Sequence, residues 1–79
     1  MKTKYKYLEF IEGSNPGRKT RVFDVYNHVT CVYLGWIGWD RGWRQYVSHT
    51  PHFGPFIFSA GCHLDFARFI KQLMDERKK

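Results

Sequence analysis

With 79 residues the chain has room for one domain, spanning 1–79, and seven Phe, five Tyr and three Trp supply the large side chains that so small a core requires. Two cysteines, Cys31 and Cys62, are too few for the disulfide framework of a small secreted domain, no signal-peptide pattern follows the basic start, and no apolar run approaches the roughly 20 residues that cross a bilayer. The expectation is a cytoplasmic protein with free thiols and no membrane segment, whose net charge of +6 is concentrated at its ends: residues 1–7 and 75–79 hold six basic against two acidic side chains, residues 8–74 seven against five.

Residues 4–12, Lys-Tyr-Lys-Tyr-Leu-Glu-Phe-Ile-Glu, largely alternate polar and apolar side chains as a half-buried strand requires, with Leu8 and Phe10 on one face. Residues 13–17 form a turn cluster, because Gly and Asn accept positive φ and Pro presets a turn backbone. A second strand spans 19–26. Asn27 and His28 then turn the chain into a third strand over 29–39, rich in β-branched and aromatic residues. Leu34 and Ile37 are three apart, which a regular pleat would send to opposite faces, and a bulge at Gly35 reconciles them. Asp40-Arg41-Gly42 reads as a three-residue hairpin loop in which Gly42 supplies positive φ, leading to a fourth strand over 43–48. Two prolines and a glycine within 50–55 make a loop and leave Phe56-Ile57-Phe58 as a short fifth strand or extended lead-in.

The period then changes. Cys62, Phe66, Phe69, Ile70 and Leu73 recur at helical spacing, with His63, Asp65, Arg68, Lys71, Gln72 and Asp75 mainly on the other side, which predicts a helix over 60–77. Ser59 is its candidate N-cap, and the basic run 77–79 suits the negative end of the helix dipole. The fold class is α+β: an antiparallel meander of four to five strands with one C-terminal helix packed on one face.

Leu34-Gly35-Trp36-Ile37-Gly38-Trp39, then Trp43-Arg44-Gln45-Tyr46-Val47, then Phe58-Ser59-Ala60-Gly61-Cys62 resemble a group of small uncharacterised proteins from bacterial, archaeal and phage or prophage genomes. The shared pattern is Leu-Gly-x-Ile-x-Trp, a tight turn, Trp-Arg-x-Tyr, and Cys-Leu opening a helix. This chain departs from it where His63 separates Cys62 from Leu64 and where Ser48 stands in place of an aromatic residue. The resemblance implies an accessory gene product of phage type and carries no established activity.

Metal chemistry has few footholds. Zinc sites use paired ligands at short spacings, and here only His49-x2-His52 approaches one, so a site would need His28, His49, His52 and Cys31 to gather from two connections at one end of the meander. Solvated loop histidines and buried structural cysteines are the simpler reading, and no cofactor is expected. Catalysis has fewer still: Cys31 within a strand and Cys62 on an apolar stripe are places for inert thiols, the carboxylates are scattered, and no Gly-rich phosphate loop precedes a helix. The expectation is a non-enzymatic domain.

The first and third connections of a meander lie at one end, so Arg18, Lys19 and Arg21 approach Arg41 and Arg44, with Trp39 and Trp43 flanking the same turn. If a fifth strand runs antiparallel to the fourth, the helix N-terminus adds partial positive charge there. Such a surface suits nucleic acid, through backbone neutralisation and base stacking, or an acidic protein surface, as a phage-type inhibitor of a host protein would use. The structural alternative makes Trp39 and Trp43 a cross-strand pair with Arg44 over a ring. A short sheet with open edges admits a monomer or a homodimer.

Overall fold

The structure, a computed structural model, describes residues 1–13, 19–51 and 57–77. Four strands, β1 (Leu8–Glu12), β2 (Phe23–Asn27), β3 (Tyr33–Asp40) and β4 (Gln45–His49), form one antiparallel sheet in the order β1-β2-β3-β4, followed by helix α1 (Ala60–Arg77). Leu8, Phe10, Phe23, Val25 and Ile37 point to one face and are buried there against Phe69 and Leu73 of α1. Phe69 lies at the centre, stacked on Phe10 at 4.0 Å and meeting Phe23 edge-on at 4.8 Å and Tyr5 at 6.3 Å.

The helix has the expected bounds, and Ser59 caps it: its Oγ accepts from the Cys62 N–H at 3.2 Å and its carbonyl from the His63 N–H at 3.1 Å. A bulge also forms, one residue before the expected Gly35. Val25 pairs with Gly35 and Tyr26 with Tyr33, which leaves Leu34 as the extra residue, and Leu34 and Ile37 are both buried. Gly35 has φ 144°, a region open to few L-residues, and a Cβ there would overlap the carbonyl oxygen of His49 on the neighbouring strand.

Where the sheet departs from the alternation pattern, hydrogen bonds off the strand axis explain it. The first strand does not run from Lys4. The Tyr5 N–H donates to the Leu8 carbonyl and the Phe10 N–H to the Thr3 carbonyl, both at 2.8 Å, so the chain folds back and Lys4 bridges Glu9 along the outer edge of β1. Tyr5 thereby enters the core, 7% exposed. The second strand starts at Phe23 rather than Lys19. The third starts at Tyr33 rather than Val29, because the Asn27 side chain accepts from the N–H groups of Val29 (2.8 Å) and Thr30 (2.9 Å) and holds residues 28–31 in a turn. Cys31 therefore lies exposed on that turn with φ 63°, not inside a strand.

The third connection has four residues, 41–44, and its left-handed position is Arg44 (φ 56°), not Gly42. Asp40 sets this geometry, its carboxylate accepting from the Trp43 N–H and its carbonyl from the Arg44 N–H, each at 2.8 Å. The fourth strand accordingly runs Gln45–His49 instead of 43–48. Of the expected fifth strand, Phe56 lies outside the described residues, and Ile57 and Phe58 belong to no strand. Helix α1 starts at the end where β4 finishes.

Candidate binding surfaces

That placement reverses one expectation. The first connection, the 41–44 turn and the C-terminus of α1 share one end of the molecule: Arg21 bonds Glu76, the Arg21 N–H donates to the Tyr46 hydroxyl, and the Arg77 guanidinium lies 4.0 Å over the Trp39 ring. The helix N-terminus lies at the opposite end, where the Asp65 carboxylate accepts from the Tyr7 N–H at 3.0 Å. The helix dipole thus contributes negative, not positive, potential beside the basic residues.

The basic residues themselves divide. Arg18 lies outside the described residues. Arg21 is committed to the fold, donating two hydrogen bonds to Glu12 (2.8 and 2.9 Å), pairing with Glu76 at 2.7 Å and lying over Phe23. The bond to Glu12 raises the Arg21 pKa and lowers that of Glu12. Arg21 is therefore a poor candidate for a ligand. Lys19 is exposed and shares a hollow of about 150 Å³ with Arg21, Tyr46, Leu73, Glu76 and Arg77. Arg41 and Arg44 are exposed on the hairpin tip, and Trp43 between them is 75% exposed.

Trp39 and Trp43 do not pair. Trp39 faces the helix side, half-buried edge-on to Tyr46 at 5.3 Å and beneath Arg77, so the cation over a ring is Arg77 and not the Arg44 of the structural alternative. Among the described residues Trp43 has no ring partner. Of the expected cluster, Lys19, Arg41, Trp43 and Arg44 stand exposed at one end, while Trp39 and Arg21 serve packing and ion pairs.

For the metal reading, His52 lies outside the described residues, and among those described no group of three His, Cys, Asp or Glu residues is arranged to hold an ion. His49 stacks on Trp36 at 4.9 Å. Cys62 is half-buried on the helix, accepting a 3.4 Å hydrogen bond from Ser59 Oγ.

Two features escaped sequence reasoning. Asp65, expected on the polar side of α1, is 3% exposed because it satisfies the backbone of the folded-back N-terminus. The second feature is the sheet face away from the helix. Its register aligns Glu9, Tyr26 and Tyr33 in one cross-strand row and Ile11, Asp24, Trp36 and His49 in the next. The pairing register was the missing signal, since none of these residues is adjacent in sequence.

No protein-family model matches the chain, and no solved structure matches it. The chain is 34% identical over 74 residues to an uncharacterised 9.3 kDa protein of Acholeplasma phage L2, a match covering 94% of this chain and 92% of the phage protein. It belongs to the family of that phage protein. The relationship takes in both the sheet and the helix and bears out the resemblance to small phage proteins. Among the described residues no helix is long and apolar enough to cross a membrane.

Proposed function

We propose that the protein is a non-enzymatic accessory domain that binds single-stranded nucleic acid through the β3–β4 hairpin tip. The observation that carries this reading is Trp43, a large apolar ring held 75% exposed between the exposed Arg41 and Arg44 on a turn whose backbone Asp40 fixes. A free indole offers a stacking surface to any base, worth about 1–3 kcal/mol per stacked base, and the flanking guanidinium groups neutralise backbone phosphates. Lys19 and Arg77, at the same end, extend the positive charge beyond the tip. The modest balance of charge in the body of the domain fits sequence-tolerant contact at one end rather than a long basic groove. With this reading goes the proposal that the protein works in the cytoplasm, where such strands are accessible.

Gel retardation with short single- and double-stranded oligonucleotides, at low and moderate salt, tests the reading. Retardation of the single strand is expected, with Trp43→Ala weakening it while the unfolding midpoint stays unchanged. Absence of retardation at about 100 μM protein, where even non-specific binders associate, overturns it.

A further inference from the structure

The sheet face away from the helix has a chemistry opposite to that of the chain as a whole. The charged residues of β1–β4 on it, Glu9, Asp24 and Asp40, are all acidic, on a protein of net charge +6; the one cation beside them is Lys4, which bridges Glu9 at the outer edge and leaves Asp24 as the central carboxylate of the face. Aromatic rings surround Glu9 and Asp24. Tyr26 lies directly across from Glu9, next to Asp24 along its own strand, and meets Tyr33 edge-on at 5.6 Å. Trp36 lies directly across from Asp24 and stacks on His49 at an interplanar angle of 13°. The Trp36 indole lies alongside Gly38, where a Cβ would meet its Cδ1 at an ordinary contact distance of 3.7 Å. Ile11, 50% exposed, closes the outer side of the Asp24 row. The electrostatic character is felt locally: burial, then the Asp24 carboxylate, then Tyr26 hold the Tyr33 phenol above its usual pKa.

We propose that this face is a docking surface for an arginine-bearing segment of a partner protein, with Asp24 and Glu9 pairing with guanidinium groups that stack on Trp36, Tyr26 and Tyr33. Charge complementarity selects the occupant. Carboxylates among rings repel a phosphate backbone and attract a cation, and a planar guanidinium can both fork onto a carboxylate and lie flat on an aromatic ring. An ammonium makes the ion pair without the planar stack. A second copy of this chain fits poorly. Among the described residues its exposed arginines lie on the hairpin tip (Arg41, Arg44) and on the helix (Arg68, Arg77), none of them on this face, so the contact would be tip to face or helix to face, a heterologous arrangement that leaves further copies of both surfaces open. The surface is separate from the tip proposed to bind nucleic acid, so either assignment can fail alone.

The test is fluorescence anisotropy of a labelled nona-arginine peptide titrated with the full chain at physiological salt. Saturable binding is expected, with nona-lysine weaker. Asp24→Asn should weaken binding by roughly tenfold or more, the loss of one charge-assisted hydrogen-bonding pair. Asp75→Asn, which removes the same net charge from an exposed site on the helix, should change it less than about twofold, as expected of a screened surface charge. Trp36→Ala should weaken binding, and circular dichroism confirms that each variant is folded. No saturable binding by the folded protein, equal losses for Asp24→Asn and Asp75→Asn, or nona-lysine binding as tightly as nona-arginine would each overturn the proposal. So would self-association, in sedimentation without peptide, that the peptide reverses.

Discussion

Asp65 illustrates how one residue ties the N-terminus to the fold. A carboxylate 3% exposed would be costly without a partner, and here it accepts the Tyr7 N–H, while Gly61, one turn earlier, lets the Tyr7 ring lie against the helix where any Cβ would collide with it. Burial, together with the Asp65 charge and opposed by Arg68, raises the pKa of the Tyr5 phenol nearby. Asp65→Ala leaves the Tyr7 donor unpaired, and urea unfolding should register a loss of about 1–3 kcal/mol. Asp65→Asn retains an acceptor oxygen and should lose less; equal stability of Asp65→Ala and wild type would contradict the tie. This role was not legible in the sequence, because the helical period assigns residue 65 to the polar side and the folded-back segment that buries it depends on Tyr5 and Thr3 backbone bonds. The bulge was more legible: two apolar residues three apart in a strand call for an extra residue in the pleat, and it falls at Leu34, beside the glycine that marked the place.

At the level of elements, the helix was legible to its ends because its period, its Ser59 cap and its apolar stripe all agree. Strand starts were not, because side-chain and backbone bonds at Asn27, Asp40 and Thr3 redirect the chain where alternation alone continues. The packing of α1 on the sheet rests on Phe69, fully buried among Phe10, Phe23 and Tyr5. Phe69→Ala should cost about 3–5 kcal/mol in chemical denaturation, a large share of a small domain's stability. A near-wild-type midpoint would contradict this packing. The Arg21 pairs with Glu12 and Glu76 join β1, the first connection and the end of α1. Since the folded-state pKa of Glu12 lies below 4.5, its usual value, the Glu12 pair stabilises the fold above that pH and the contribution disappears as pH falls through the folded-state value. Both partners are substantially exposed, so the effect should stay below about 1 kcal/mol. Glu12→Gln should flatten the acid side of the stability-against-pH curve in proportion; an unchanged acid limb would contradict the assignment.

Across the whole molecule, the two ends and two faces differ in kind. The four-stranded meander and its covering helix were legible in the sequence, and so was the gathering of Lys19, Arg41 and Arg44 at one end, because meander topology alone determines which connections are neighbours. The helix polarity at that end was not legible, since it depended on whether a strand intervened after β4. The separate duties of Trp39 and Trp43 were equally hidden, because the four-residue turn and the Arg77 contact decide which ring is covered. These features put the nucleic-acid assignment on the exposed tip alone. Its most direct test is the salt dependence of single-strand binding for wild type against the Arg41→Glu/Arg44→Glu double variant. If both arginines contact phosphates, the slope of log K against log salt should become shallower by about 1.4, from about 0.7 per phosphate contact on a single strand, and affinity should fall while the unfolding midpoint holds. An unchanged slope and affinity in the folded double variant would contradict the assignment of the hairpin tip.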